Sequence, residues 1–347
     1  MYRAFRVVFS SSCALAALGA CSASHTPSTG LVGTNAAGAS GQPAMAGPTG
    51  GSGNVGSGGS GIVLIPPMDP PEMTGSTPAT PLTGVTMTEA GGYKRGDEIV
   101  AGAMGGSTGV NPSGDDGCGV LVGVVRDFKT KDPGRHPDFE IFGGQSVVKG
   151  LVGPELDADR KPVYASKCEL MPDLVACPTG QQTTGKANFD QWYRNTPDVN
   201  RAYLLYFQMQ PTVGNVVSFQ SESFVPLDEA GWNDTWVGLD GAAHNYGFTT
   251  ELHITFKYSG GESFTFKGDD DVWAFINGHL AIDLGGLHES REDTLLLDDH
   301  AAELGLQKGN TYPLELFQAE RHSTGSHFRI DSTLAVVDCG SIPEEPK

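Results

Sequence analysis

The chain is poor in positive charge and cysteine, and it has no long apolar run. It carries 22 Lys and Arg against 41 Asp and Glu, which gives a formal net charge of −19. This balance disfavours nucleic acid and anionic lipid as partners, because both are polyanions. The apolar run at residues 7–20 is too short and too rich in small side chains to span a membrane.

The N-terminus has the pattern of an export signal. Two arginines precede the apolar run, and Leu-Gly-Ala-Cys at 18–21 resembles the bacterial lipobox. We therefore predict a signal peptide at residues 1–20 and lipidation of Cys21, with ordinary secretory cleavage as the alternative. By the same resemblance, Ser22 predicts anchoring at the outer membrane, on the cell surface.

The next segment, residues 21–90, is dominated by Gly, Ser, Thr, Pro and Ala. Such a composition buries too little apolar surface to offset the entropy of ordering, so it predicts a disordered tether. Residues 91–340 have a globular composition and a length that fits one β domain, followed by a short tail at 341–347.

The cysteines exclude some classes of site and suggest covalent links. No pair has the C-x-x-C spacing of a zinc or thioredoxin-type site. Apart from Cys13 and Cys21, four remain, and an even number in an exported chain predicts two disulfides. Three pairings are possible. The local choice, Cys168–Cys177, leaves Cys118–Cys339 to join the two ends of the domain, which would stabilise it by roughly 4–5 kcal/mol.

Three adjacent carboxylates, Asp269, Asp270 and Asp271, form the most informative feature of the chain. Like charges this close are tolerated in a loop where water or a cation offsets their repulsion. Oxygen-only ligands favour a hard cation, and outside the cell calcium is the first candidate. The alternative is a solvated acidic turn.

Alternating apolar residues around this triplet predict strands. Residues 248–258 read as a half-buried strand, followed by strands at 262–267, 272–276 and 280–284, with a hairpin turn at Asn277-Gly278. Read as an up-and-down meander, this order places the aspartates and the 285–289 loop at one end. Further strands are predicted at 120–125, 202–208, 216–220, 311–318 and 328–337, with weak helical character at 188–194 and 290–306. The fold class is all-β, an antiparallel sandwich or barrel with short helices in insertions.

An ordered set of motifs resembles the fibro-slime domain, a family of bacterial surface and slime-mould proteins. They are Gly-Tyr-Lys-Arg-Gly at 92–96, Val-Val-Arg-Asp-Phe at 124–128, His-Pro-Asp-Phe-Glu at 136–140, Lys-Pro-Val-Tyr at 161–164, Phe-Asp-Gln-Trp-Tyr-Arg at 189–194, Phe-Val-Pro-Leu-Asp at 224–228, Gly-Asp-Asp-Asp-Val-Trp-Ala-Phe-Ile-Asn-Gly at 268–278 and Ala-Glu-Arg-His at 319–322. The resemblance covers nearly the whole folded part. It implies a protective-antigen-like β-sandwich, shared with the yeast flocculins.

The resemblance also implies a function. Flocculins bind calcium through two consecutive aspartates joined by a cis peptide, and that calcium engages sugar hydroxyls. Asp269 and Asp270 match the pair, with Asp271 supporting. A second loop, here residues 320–327, makes His322, Ser326 and His327 ligand-binding candidates. His327 stands where the family often has Asn, and imidazole is a poor calcium ligand. The expected protein is a non-enzymatic adhesion or slime module that binds calcium and, through it, carbohydrate or matrix.

Several alternatives remain open. The domain could instead assemble with surface proteins, with a purely structural calcium. A polysaccharide hydrolase, using carboxylates such as Asp271 and Glu289 or a metal at His244 and His288, lacks any recognisable motif or spacing. Trp232 and Trp236 are candidates for stacking on sugars, although tryptophan is more often core. Asp127 and Asp138 are more simply read as capping residues, or as partners of Arg126 and Arg135.

Overall fold

Strands make up most of the regular structure in the computed structural model, which describes residues 92–99, 106–107, 118–144, 146–165, 182–323 and 325–342. Within those ranges, helix is confined to α1 (Lys186–Phe189), α2 (Leu297–His300) and a 3-10 turn (Val213–Asn215). No described helix has the length and apolarity needed to cross a membrane. The all-β prediction is confirmed.

Most of the strands predicted from the sequence lie within three residues of their expected bounds, the predicted strand at 328–337 is divided in two, and the structure adds strands that were not predicted. The strands are β1 (Tyr93–Glu98), β2 (Gly106–Ser107), β3 (Val120–Phe128), β4 (Val152–Leu156), β5 (Pro162–Tyr164), β6 (Asn200–Gln208), β7 (Gln210–Pro211), β8 (Val217–Ser221), β9 (Trp236–Val237), β10 (Ala243–His244), β11 (Phe248–Lys257), β12 (Ser263–Gly268), β13 (Asp271–Ile276), β14 (His279–Leu284), β15 (Arg291–Leu296), β16 (Thr311–Glu320), β17 (Phe328–Ser332), β18 (Ala335–Asp338) and β19 (Ser341–Ile342).

Two antiparallel sheets hold most of these strands. The larger has ten strands in the order β1-β6-β3-β11-β16-β13-β14-β4-β5, with β18 also paired to β11. The smaller has five, in the order β15-β12-β17-β8-β7, and the pairs β10–β9 and β19–β2 are separate. The large number of long-range pairings is what an antiparallel sandwich requires.

The main core lies between the two sheets and is rich in phenylalanine. In β12, Phe264 and Phe266 are buried while the residues between them are only partly covered, as the two-residue period predicts. Phe328 of β17 packs against Phe207 and Phe266, with ring centroids 5.4 and 4.9 Å apart. These contacts join the sheets and support the rim described below.

The larger sheet is covered on its other face as well, which corrects the half-buried prediction for β11. Nine of the ten residues of β11 are at least partly covered, because aromatic residues from the segments that flank α1 pack on this face. Buried beneath them, Glu251 pairs with Arg126 at 2.6 Å and with Lys161. Cations this close offset the cost of burying the carboxylate.

The predicted meander is wrong, because β12 and β13 belong to different sheets. β12 pairs with β15 and β17, whereas β13 pairs with β14 and β16. Asp269 and Asp270 therefore connect the smaller sheet to the larger one at the rim of the sandwich. The hairpin at Asn277-Gly278 is confirmed, with φ of +52° and +77°, and it returns β14 to the aspartate end.

Two further predictions have different outcomes. The helical character expected at 290–306 is wrong for β15, which pairs along β12, and helix is limited there to α2. The Cys118–Cys339 disulfide is confirmed, with Cα atoms 5.5 Å apart. Cys168–Cys177, the signal peptide, the lipidated Cys21, the tether and most of the tail lie outside the described residues.

Candidate functional site

The aspartate triplet lies at the rim, where a cavity of about 700 Å³ opens. Asp269 and Asp270 line one side of this cavity, and the 285–289 loop and the 322–327 loop line the others. The prediction that the aspartates and the 285–289 loop share one end is confirmed by a hydrogen bond from the Gly286 N–H to Asp271 Oδ1 at 2.6 Å. A rim where three connections meet can bring together side chains from distant parts of the chain.

Asp269 has one satisfied and one free carboxylate oxygen. Oδ2 accepts the backbone N–H of His327 at 2.9 Å and lies 2.6 Å from its Nδ1. Oδ1 is buried and has no hydrogen-bond partner among the described residues. His327 therefore holds Asp269 in place through Oδ2, and Asp269 Oδ1 is left available to bind a cation.

Asp270 is held by backbone donors. It adopts a left-handed conformation with φ of +51°, and its Oδ2 accepts the N–H of Arg321 at 2.8 Å. Burial raises its pKa to about 6, although Arg321 lowers it. The Asp269–Asp270 peptide is trans, since the cis bond in the described residues is Asp132–Pro133, so the cis peptide that the flocculin resemblance implied is not found here.

Asp271 is fully buried and both of its oxygens are occupied. Oδ1 accepts the Gly286 N–H, and Oδ2 accepts from Arg321 Nε at 2.6 Å. Arg321 also donates to the carbonyl oxygen of Gln182 at 2.7 Å. Asp271 therefore supports the loop by neutralising a buried arginine. Its predicted part in calcium binding stays a prediction.

Glu320 is a site residue that sequence reasoning missed. It was identified only as the first residue of the second loop, yet it is 1% exposed at the end of β16. Neither carboxylate oxygen makes a hydrogen bond of good geometry within the described residues, and the side chains of Ser326 and Asp270 lie beside it. Burial, followed by the charges of Asp270 and Asp269, raises its pKa well above the usual range. The alternation of Leu314, Leu316 and Gln318 along β16 was the signal that would have placed Glu320 inside.

The other candidates of the second loop lie near the aspartates. Ser326 is 3% exposed and its Oγ is without a partner in the described part of the chain. His322 is exposed at the cavity, where its Nδ1 lies 2.9 Å from the carbonyl oxygen of Ser323. Ser326 therefore supplies a hydroxyl beside Glu320, and His322 supplies a polar group at the mouth.

The tryptophan candidates are not brought to this cavity. Trp232 is partly buried, and its ring faces Lys129 Nζ at 4.1 Å and Arg201 Cζ at 5.0 Å. Trp236 is also partly buried and donates from Nε1 to Thr130 Oγ1 at 2.8 Å. Both rings are engaged in local packing, away from the residues that line the aspartate cavity.

Asp127 and Asp138 have structural partners other than the arginines considered from the sequence. Asp127 accepts the N–H of Trp232 and, at 2.7 Å, the side-chain amide of Asn245; burial raises its pKa to about 7. Asp138 accepts from Trp192 Nε1 at 3.0 Å. Asp127 ties a loop to β3, and Asp138 joins its own loop to the segments that flank α1, so both have local structural roles.

The residues considered for a hydrolase have different surroundings, and His288 and Glu289 line the aspartate cavity. His244 binds Asp228 at 2.6 Å and Asp240 at 2.9 Å, and Asp271 is paired with Arg321.

No three His, Cys, Asp or Glu side chains of the described residues form a ready-made metal cage. A cation at the rim would therefore draw free oxygens toward one another. Those free oxygens, from Asp269, Glu320 and Ser326, are all hard donors of the type that calcium prefers.

Residues 204–347 match the PA14 domain. This segment contains β12, β13, β16 and the whole aspartate rim. The resemblance seen in the sequence is thus confirmed at the level of the PA14 sandwich, and the finer fibro-slime assignment stays a prediction.

Curated relatives come from the slime mould Dictyostelium discoideum. Protein psiJ is 37% identical over 238 residues, 64% of this chain and 31% of its own length. Proteins psiR and psiN are 36% and 33% identical and are covered over 21% and 30% of their lengths. The chain therefore spans a third or less of these three relatives.

A solved structure, the PA14 domain of the MpAFP antifreeze protein, aligns over 68% of this chain and 98% of its own at 10% identity. Its TM-score of 0.24 is too low to carry a structural argument.

Proposed function

We propose that this domain is a non-enzymatic surface module that binds calcium through Asp269 and Asp270 and, through that ion, carbohydrate or extracellular matrix. The observation that carries the proposal is the free, buried Oδ1 of Asp269 beside Asp270 at a rim cavity. A bound calcium ion would supply positive charge and open coordination positions for ligand oxygens. Asp271 and Arg321 hold the loop in place through their 2.6 Å contact.

The shape of the cavity supports a small polar ligand. A volume of about 700 Å³ lies within the usual range of ligand pockets. Its mouth carries Glu289, His322 and Ser323, which offer donors and acceptors for hydroxyl groups. PA14 domains are often carbohydrate-binding modules of cell-surface proteins, which supports a glycan as the partner.

The N-terminal sequence supports a place at the cell surface. A lipid on Cys21 and a Gly- and Ser-rich tether at 21–90 would present the domain outside the outer membrane. Adhesion or slime formation then follows as the role of the glycan contact. Radiolabelled palmitate incorporation that is lost in Cys21→Ala tests this anchor.

Calcium titration by calorimetry followed by a glycan array tests the main proposal. We expect calcium binding by the wild type, and sugar binding that is lost both with chelator and in Asp269→Ala. Asp299→Ala, an exposed aspartate of α2, is the matched control and should retain both. Sugar binding that persists in excess chelator contradicts the proposal.

A purely structural calcium is the second candidate, and the burial of the pair favours it. Asp269 and Asp270 are only 7% and 5% exposed, so an ion held by them would lie low in the cavity. In that case calcium raises the melting temperature while a broad glycan array gives no hit. The module would then contribute to a surface assembly through protein contacts.

A further inference from the structure

Glu320 is the least satisfied carboxylate at the rim. It is the last residue of β16, lies opposite Phe248 of β11, and is 1% exposed on the inner face of the larger sheet. Its neighbour Arg321 points away from it, toward Asp271, with Nε 2.6 Å from Oδ2. The closest arginine in sequence is therefore committed to another carboxylate.

A comparison with Glu251 shows that this is unusual. Both glutamates are 1% exposed, but Glu251 has Arg126 and Lys161 as partners. A buried carboxylate is tolerated when it is paired or hydrogen-bonded, and it otherwise binds a proton or a metal ion. Glu320 has no cationic partner within the described residues, and the polar side chains beside it are those of Ser326 and Asp270, so one of these two solutions is required.

Unpartnered oxygens are concentrated around Glu320. Asp269 Oδ1 has no hydrogen-bond partner in the described part of the chain. The side chains of Ser326 and Asp270 lie beside the Glu320 carboxylate, and the charges of Asp270 and Asp269 act on it. Deeper on the same face of β16, Gln318 has both side-chain polar atoms unpaired in the described part. Oxygen donors from two loops and one strand thus lie near Glu320, without already forming a three-ligand cage in the described residues.

Resting on the proposed calcium function, we propose that Glu320 is the third carboxylate ligand of the rim site, together with Asp269 and Asp270, and that Ser326 adds a hydroxyl. Three ionised carboxylates carry three negative charges, most of which a divalent cation offsets. Calcium tolerates irregular oxygen cages, whereas magnesium demands octahedral geometry and keeps its waters. The buried position of Glu320 therefore favours calcium over magnesium.

Glu320→Gln in the full-length chain separates this role from that of a protonated structural glutamate, because glutamine has the shape of the neutral acid. We expect calorimetry to show calcium affinity reduced at least tenfold, and the calcium-induced rise in melting temperature to disappear. Without calcium, the melting temperature should be unchanged or higher, because a source of repulsion is removed. Glu292→Gln, an exposed residue of β15, is the control and should behave as wild type.

Two other outcomes decide between the hypotheses. Glu320→Gln that binds calcium within twofold of wild type overturns the assignment of Glu320, and if Asp269→Asn still abolishes binding, the proposed function survives. A wild-type chain that binds no calcium overturns both. Magnesium bound as tightly as calcium overturns the selectivity. If Glu320→Gln does not fold, Glu320→Asp keeps the charge with a shorter reach, and an unchanged calcium affinity in that folded variant argues against Glu320.

Discussion

Two buried glutamates on neighbouring strands illustrate opposite uses of charge. Glu251 on β11 has Arg126 and Lys161 beside it, and although burial raises its pKa, those cations hold it well below its ordinary value. Glu320 on β16 lacks such partners, and burial and the aspartates hold its pKa well above that value. The first group is compensated by cations in the fold as it stands, and the second has no cation beside it in the described residues. The comparison separates a buried glutamate that has cations as partners from one that we propose binds a ligand.

The largest expected effect comes from removing a cation beside Glu251, so that its surroundings become more like those of Glu320. Arg126→Met leaves Glu251 with reduced compensation, and we expect the free energy of unfolding to fall by about 3–5 kcal/mol, because breaking a buried ion pair strands a charge. Denaturant unfolding measures this change. Lys257→Met, an exposed residue of the same strand, is the control, and a loss below about 0.5 kcal/mol is expected there. Equal effects in both variants would contradict the comparison.

Acid should lower the stability of the protein as the pH falls from 6.5 to 4, because of a histidine beside Glu251. Burial lowers the pKa of His253, which lies against Glu251, from 6.5 to about 4. In the unfolded chain the imidazole takes up a proton below about pH 6.5, whereas the folded form does so only near pH 4, so stability is lost as pH falls between these values. The shift corresponds to roughly 3 kcal/mol.

His253→Gln checks this dependence by urea unfolding at several pH values. The variant should show a shallower loss of stability between pH 6.5 and 4 than wild type. Identical slopes would show that His253 is not the titrating group.

Calcium should stabilise the folded chain by binding at the aspartate rim and at no other place. At a concentration of 100 times the dissociation constant, a ligand that binds only the folded state adds about 2.7 kcal/mol. We expect thermal unfolding to show this gain in wild type and in Lys257→Met, and its loss in Asp269→Asn. A calcium gain that survives Asp269→Asn would place the ion elsewhere.

The smallest effect is expected from neutralising Glu320 in the presence of chelator. Glu320→Gln should raise the free energy of unfolding by about 1 kcal/mol, because the cost of burying a carboxylate that no cation compensates is removed. Glu251→Gln in the same assay should have the opposite sign, because it strands Arg126 and Lys161. Matching signs would remove the distinction between the two glutamates.

Local pattern predicted much of the fold. The alternation in β12 and β16 predicted strands, and the Asn277-Gly278 pair predicted a hairpin because both positions need positive φ. The Cys118–Cys339 link was predicted by counting the cysteines other than Cys13 and Cys21 in a chain with an export-signal pattern and pairing the two nearest ones, Cys168 and Cys177, first. These features depend on neighbours in sequence or on simple chemistry.

Sheet membership could not be predicted in the same way. The step from β12 to β13 resembles the step of a meander, yet it crosses from one sheet to the other. Which strand a segment pairs with depends on partners many residues away, such as β16 for β11. The candidate site was accordingly only partly predicted, since Asp269 and Asp270 were identified and Glu320 was not.

The sequence by itself determined the strands, the acidic triplet and the oxygen chemistry of the rim, because these depend on residue type and short-range order. Only the tertiary structure decided which carboxylates have partners. Arg126 lies 125 residues from Glu251, and Arg321 lies 50 residues from Asp271. Pairing across such distances depends on the packing of the two sheets, and that packing leaves Asp269 and Glu320 with free oxygens at the same rim.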